Sequence, residues 1–237
     1  YSAIIDVRSP SEYQDDHIPG SINLPVLSDE QRHEVGRKLH RADHFAGRRL
    51  GASLISNNIA TIIQNYFMDK PKDWRPLIYC WRGGQRSNSL AYVLAMVIGY
   101  RVCVLDRGYL TYRNHIISQI SSFSDCIKAK VITGPTGCGK TKLLHFLSSC
   151  GEQILDLEGL ANHKGGSILG GIDLPQPPQK LFETRIAQVM RTFDFNRTVW
   201  IEDEAATIGK LHIPRKLWEA MLSSPRYFVR LPFNERV

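Results

Sequence analysis

Gly134-Pro-Thr-Gly-Cys-Gly-Lys-Thr141 carries glycines, a lysine and a threonine at the spacing of a phosphate-cradling loop. Gly134, Gly137 and Gly139 let backbone N–H groups converge on an anion. Lys140 adds a point charge, and the Thr141 hydroxyl can reach a bound magnesium ion. With average residue usage the pattern arises by chance in about one chain in a hundred of this length. Lys130-Val-Ile-Thr133 reads as a strand entering the loop, and Leu143, Leu144, Phe146 and Leu147 fall on one face of a helix leaving it.

A second chemistry-bearing segment is Cys80-Trp-Arg-Gly-Gly-Gln-Arg86. Leu77–Cys80 reads as a strand and Ser87–Ile98 as a helix. A loop wrapping from the cysteine to that helix start points N–H groups and the helix dipole at the sulfur. Such a cradle stabilises a thiolate, a persulfide or an adjacent oxyanion. Arg82 and Arg86 add positive charge, and Gly83-Gly84 permit a tight backbone. An inert cysteine at a strand end is the alternative, and it suits Cys103 and Cys150.

Carboxylates complete the inventory. Gln153–Leu157 and Thr198–Glu202 read as buried strands, each ending in acids. A metal beside a phosphate loop draws a further ligand from the end of a neighbouring strand. Asp156 and Asp203 are therefore the metal candidates beside Thr141, with Glu158, Glu202 and Glu204 nearby and plain strand caps as the alternative. Asn162-His163-Lys164, followed by glycines, forms a polar segment able to wrap a phosphate or a base. His163 can serve there as acid, base or orienting group. A surface loop explains the same composition.

The elements that must hold these groups alternate between strand and helix. Ser2–Val7 is a short apolar run suited to a buried parallel strand. Ser9-Pro-Ser-Glu12 combines an N-cap, a proline at the first helical position and a reciprocal glutamate. Ser28 to about Gln64 is helical and charged: between Arg32 and Arg49, the basic residues Arg32, Arg37, Lys38, Arg41, Arg48 and Arg49 face only Glu34 and Asp43. A nucleic-acid contact surface and a solvated helix face explain that run equally. Arg101–Leu105 is a further strand. Gln179–Phe193 and Leu217–Leu222 are helical, and Arg226–Leu231 is a last strand. Strand–loop–helix repetition predicts an α/β chain with two parallel-sheet domains, residues 1–120 and 126–237, divided at Ser121–Asp125.

Bulk properties agree. The 237 residues are 43% hydrophobic and 22% charged, as in globular proteins, with a formal charge of +7 that permits an acidic partner. No apolar run approaches the roughly 18 residues of a membrane span. Five scattered cysteines without a CxxC pair point to a reducing compartment. A cytoplasmic location is expected, with an organellar form where a targeting segment lies outside this chain. The chain opens inside an apparent strand without methionine, so a fragment of a longer protein is expected.

The Cys80 loop, with Ile5-Asp6-Val7-Arg8, Glu12-Tyr13 and His17-Ile-Pro-Gly-Ser-Ile-Asn23, resembles the rhodanese domain over residues 1–120. The resemblance implies sulfur or selenium transfer at Cys80, with Asp6 and Arg8 ordering the loop. The same fold hosts Cys-x5-Arg phosphatases. Its direct fusion to a P-loop NTPase-like domain goes further. That domain carries Asp156-Leu-Glu-Gly-Leu-Ala-Asn-His163, Trp200-Ile-Glu-Asp-Glu204 and Ile208-Gly209, and the first contributes Leu27-Ser-Asp-Glu30 and Val35-Gly36. Together they resemble the tRNA 2-selenouridine synthase family. The resemblance implies tRNA as partner, with geranyl diphosphate and selenophosphate as co-substrates in a two-step conversion of wobble 2-thiouridine. Cys138 departs from it, standing where a small hydroxyl residue is more usual. The family's extreme N-terminus and a sizeable C-terminal portion are also lacking. Two other readings stay open: a sulfurtransferase fused to an ATP- or GTP-dependent kinase or NTPase, and a non-catalytic sensor of anions or thiol state.

Overall fold

The computed structural model describes residues 1–40, 44–163, 175–230 and 232. Arg41 and Asp43 of the basic run, Lys164 of the polar segment and Leu231 of the last strand lie outside the described residues. The chain divides into two compact units, Tyr1–Asn114 and His115–Val237.

In the first unit, strands β1 (Ala3–Asp6), β2 (Ile22–Asn23), β3 (Pro76–Tyr79) and β4 (Cys103–Val104) form a wholly parallel sheet in the order β2-β1-β3-β4. The expected helix start at Ser9 is present as a reciprocal cap with Glu12, opening α1 (Pro10–Asp15). The charged stretch forms two helices, α2 (Asp29–His40) and α3 (His44–Ile62), the latter widening into a π-type turn at Ile63–Phe67. Ile55, Ile59 and Ile62 of α3 bury one face against Ile5, Val7 and Ile78 of the sheet region. The helix after the cysteine loop, α4 (Gln85–Tyr92), begins two residues earlier than the periodicity predicts, because the loop backbone already turns at Gly84. It continues as a π-type segment and stops at Gly99, whose φ is 95°. Helix α5 (Gly108–Cys126) runs straight through Ser121–Asp125, so the serine-rich stretch expected as a boundary is helical. Serine is only mildly unfavourable in a helix, and Ser122 and Ser124 return their hydroxyls to carbonyls four residues back.

In the second unit, β5 (Lys128–Thr133), β6 (Gln153–Leu155), β7 (Thr198–Glu202) and β10 (Arg226–Phe228) form another parallel sheet, ordered β10-β5-β7-β6. A small antiparallel hairpin joins β8 (Thr207–Ile208) to β9 (Leu211–His212). The helices are α6 (Lys140–Ser149), α7 (Leu157–Leu160), α8 (Gln179–Met190) and α9 (Arg215–Ser223). Val131, Leu155, Val199 and Ile201 of the sheet are fully buried, as are Leu144, Phe182, Ile186 and Leu217 of the helices. Phe146, expected on the buried face of α6, is exposed, and Leu144 alone of that helix is fully covered. The fold is thus α/β with two parallel sheets. Among the described residues no helix is long and apolar enough to cross a membrane.

Candidate active site: two anion-cradling loops

Cys80 directly follows β3, at the sheet's carboxyl edge, where an open parallel sheet presents its loops. Its side chain is buried, with Sγ 3.2 Å from Ser87 Oγ and accepting the Gly84 N–H at 3.3 Å. Burial alone would raise the thiol. Hydrogen bonds from the Ser87 hydroxyl and from the backbone N–H groups of Ser87, Gly84 and Arg82 outweigh it and hold Cys80 below its ordinary value. The loop is closed from beneath. Tyr109 donates its N–H to the Cys80 carbonyl at 2.8 Å, and Leu110 to that of Trp81 at 3.1 Å. Gly108 lies so close that a Cβ there would stand 2.2 Å from the Cys80 oxygen.

Asp6 and Arg8 form the platform behind this loop. Both are buried, and Arg8 binds Asp6 through Nε and Nη2, the latter at 2.6 Å, while also donating to the Asp16 carbonyl. The Arg8 guanidinium lies 4.1 Å from the Tyr109 ring centroid, and Tyr109 Oη donates to Asp16 Oδ2 at 2.7 Å. Burial and the Asp16 charge push the Tyr109 phenol upward, so it stays a donor.

The two arginines of the loop part company. Arg86 donates to both oxygens of Glu12, at 2.5 and 3.2 Å, rather than standing free beside the sulfur. Glu12 also faces Arg32 at 3.7 Å. Burial would lift the Glu12 carboxyl, yet the Arg86 contact prevails and keeps it below the usual carboxylate range. Arg82 is exposed. A cavity of about 900 Å³ opens beside Cys80, between its loop and helices α2 and α3.

At the second loop, Gly134 has φ 155°, and a Cβ would meet the Val229 carbonyl at 2.7 Å and Cys138 Sγ at 2.8 Å. Glycine is required there by space as well as conformation. Gly137 and Gly139 are also left-handed, at φ 77° and 82°, and Gly139 is the N-cap of α6. Lys140 folds back onto the Gly134 carbonyl at 3.2 Å. The loop, the helix start and the lysine meet as the motif predicts, and the set can hold a diphosphate.

The carboxylates sort themselves by strand register. Glu202, the last residue of β7, accepts from Thr141 Oγ1 at 3.2 Å and lies 3.9 Å from Lys140 Nζ. Asp203 points elsewhere, accepting from Thr133 Oγ1 and Arg226 at 2.7 Å each. Asp156 caps α7 through the Gly159 N–H at 2.8 Å and meets His145 Nε2 at 3.1 Å. Thr141 is therefore joined to Glu202, and not to either aspartate. Glu158, Glu202 and Glu204 bring ligand oxygens within 4.8 Å of one another. Burial, then the Glu158 charge, raises Glu202; the same causes, with Glu202 added, push Glu204 up to about 8. Glu202 Oε2 is buried and has no hydrogen-bond partner among the described residues, an acceptor that a divalent cation would satisfy.

Asn162 adopts φ 50° and spends its amide locally, donating to the Pro175 carbonyl at 3.1 Å and accepting from Arg185. It thereby ties together the two flanks of residues 164–174. His163 donates its N–H to the Glu158 carbonyl, and its Nδ1 is buried without a partner among the described residues. Gln176 anchors the β8–β9 hairpin, donating to the Ile208 carbonyl at 2.9 Å and accepting from the Lys210 N–H at 2.8 Å. Ser87 and Gly108 are the site residues that the sequence pattern missed, and Glu12, foreseen as a helix cap, also holds Arg86.

Comparison with known proteins places both halves. Residues 1–115 match the rhodanese-like domain, and residues 127–237 match the tRNA 2-selenouridine synthase AAA domain. A tRNA 2-selenouridine synthase of Nitrosomonas europaea is 35% identical over 99% of this chain and 61% of its own. That of Nitrosomonas eutropha is 36% identical with the same coverage, and that of Psychromonas ingrahamii 32% identical over 99% and 62%. The chain thus spans about three fifths of the length of these curated relatives. Among solved structures, an N-terminal domain from Clostridium difficile 630 is 30% identical over 48% of this chain and 88% of its own, with a TM-score of 0.40. Both domain models match in order and the relatives align along nearly the whole chain, so across both domains the chain is similar to the tRNA 2-selenouridine synthases.

Proposed function

We propose that this chain converts wobble 2-thiouridine in tRNA to 2-selenouridine through a geranylated intermediate. The observation that carries the reading is one chain holding both a thiol cradle and a phosphate cradle, each built for an anion. In the first step the 2-thio sulfur attacks the first carbon of geranyl diphosphate. A carbon–sulfur bond forms, the carbon–oxygen bond breaks, diphosphate leaves with the electron pair, and the base gives up its N3 proton to solvent. The loop Gly134–Thr141, with Lys140, receives that leaving group and stabilises its growing charge. No nucleotide hydrolysis is needed. Glu158, Glu202 and Glu204 would hold a divalent cation such as magnesium, which supplies further neutralisation when bound. Asn162, His163 and Lys164 lie between β6 and β7 in the sequence, and the reading has them serve the same diphosphate.

In the second step the selenium of selenophosphate attacks the base carbon that carries the geranylated sulfur. Geranylthiolate departs with the electron pair and takes a proton. Water then splits the selenium–phosphorus bond, leaving selenium on the base and releasing phosphate. Cys80, with its N–H cradle and Arg82, serves this step as the group that holds the selenophosphate donor beside the base; Arg86 fixes the loop through Glu12.

The test is incubation of the full-length protein with 2-thiouridine tRNA, geranyl diphosphate and selenophosphate, followed by nucleoside mass analysis. Geranylated and then selenated nucleosides are expected. Absence of both, or their formation only with ATP hydrolysis, overturns the proposal.

A further inference from the structure

We infer that the cavity beside Cys80 is the seat of the prenyl chain while the S-alkylated nucleoside meets selenium. The inference rests on the function proposed above and assigns a place to a group that the reaction must accommodate.

The cavity measures about 900 Å³, within the range of small-molecule sites. Its character does not match what a sulfur-transfer loop alone requires. A selenium donor such as selenophosphate is small and ionic, and the N–H groups around Sγ already suffice to hold an anion. The space beyond them is apolar. Leu27, Val35 and Ile55 are buried and line it, Gly47 and Gly51 pack α3 closely against Leu39 and Val35, and Gly36 leaves open space on its own side. A second cavity of about 850 Å³ shares Ala52, Ile55, Gly84, Gln85 and Ser89 with the first, so the space continues along α3 past the cysteine loop.

Charge is confined to the side chains of arginine. Arg32 and Arg86 are committed to Glu12. Arg48 and Arg82 line the same cavity, are exposed, and have no ion-pair partner among the described residues. An apolar chamber with two uncommitted cations and a thiol at its wall suits an aliphatic chain attached to a phosphate-bearing polymer. The geranylated anticodon has that chemistry, and its reacting carbon must approach Cys80 with the whole geranyl group attached through sulfur. Burying them would favour the alkylated nucleoside over the unalkylated one at this loop.

Gly36 gives the test. It lines the cavity, its φ is ordinary, and a Cβ there would meet nothing within 4 Å. Gly36→Leu therefore fills the chamber while improving helix propensity. Fluorescently labelled anticodon stem-loop RNAs bearing S-geranyl- or S-methyl-2-thiouridine are titrated with the chain, and binding is read by anisotropy. The unaltered chain should bind the S-geranyl RNA about tenfold or more tightly than the S-methyl RNA. Gly36→Leu should abolish most of that preference and leave S-methyl binding unchanged. Ala52→Leu, at an exposed residue lining both cavities, should reduce the preference in the same way and guards against misfolding of the first variant. Equal binding of the two RNAs by the unaltered chain overturns the inference while leaving the proposed function standing. So does full preference retained in both variants. A chain that binds neither RNA overturns both.

Discussion

Ser87 Oγ, one turn into α4, lies 3.2 Å from Cys80 Sγ and 3.1 Å from the Gly84 carbonyl, so its single proton can turn from the carbonyl to the sulfur when the thiol ionises. The hydroxyl thus serves the loop backbone and the sulfur in turn. Because hydrogen bonds to the ionised form lower the Cys80 thiol, alkylation by iodoacetamide, followed on the Cys80 peptide in a mass spectrometer, should reach half-maximal rate at a lower pH in the folded chain than in the urea-unfolded chain. Ser87→Ala should move the Cys80 midpoint upward. An unchanged midpoint would show that the backbone N–H groups alone set thiol acidity.

Gly108 supports the loop by having no side chain. With φ 55° and the Cys80 oxygen 2.2 Å from where a Cβ would sit, Gly108→Ala must push the loop away. A loss of about 2 kcal/mol or more is expected, from backbone strain and displaced hydrogen bonds. Urea unfolding measures the loss, and slower alkylation of Cys80 at neutral pH reports the disordered cradle.

Arg8 is a buried cation with its partners already in place. Removing it strands Asp6 without water, so Arg8→Ala should destabilise the first unit by about 3–5 kcal/mol. Arg8→Lys should recover only part of this, because one ammonium cannot reproduce the fork that binds Asp6 and the Asp16 carbonyl together. Denaturant midpoints of the two variants decide the order.

Glu204 carries a stability cost that depends on pH. Its folded carboxyl is pushed up to about 8, above the unfolded value, by burial and by the Glu158 and Glu202 charges. Below about pH 4.5 both states are protonated and nothing is lost. As the pH rises toward 8 the unfolded state ionises first, so the second unit loses stability over that window. Glu204→Gln should remove the loss, raising the thermal midpoint at pH 8 and leaving it nearly unchanged at pH 4.5.

Lys140 is expected to act on the leaving group. Lys140→Ala should weaken binding of geranyl diphosphate by about tenfold or more, the usual worth of a charge-assisted hydrogen bond. Isothermal titration measures it, and binding of selenophosphate serves as the comparison that should not change.

Local chemistry explains which of these residues could be foreseen. The phosphate loop and the cysteine loop are both backbone devices, in which glycine spacing dictates where N–H groups point, and both stand where the pattern put them. Which carboxylate meets Thr141 is a matter of register. Glu202 and Asp203 are adjacent, and consecutive strand residues face opposite sides, so one position decides which carboxylate meets Thr141. The pairing of Glu12 with Arg86 spans 74 residues and leaves no trace in either segment alone. The apolar cavity escaped notice because glycine contributes nothing to a hydrophobic period. The α2–α3 stretch read as charged helix, and its cavity-lining face became visible only in three dimensions.

Strand β10 is the outer member of its sheet, with β5 on one side and, among the described residues, no strand on the other. Tyr227 and Phe228 on it are exposed. A parallel edge of this kind is a template for adhesion between molecules. Arg226 and Arg230 bracket the aromatic pair, the first held by Asp203 and the second lying 5.5 Å from the Phe228 ring centroid. Their charge acts as a guard against edge-to-edge stacking, so neutralising both should cost solubility long before it costs folding.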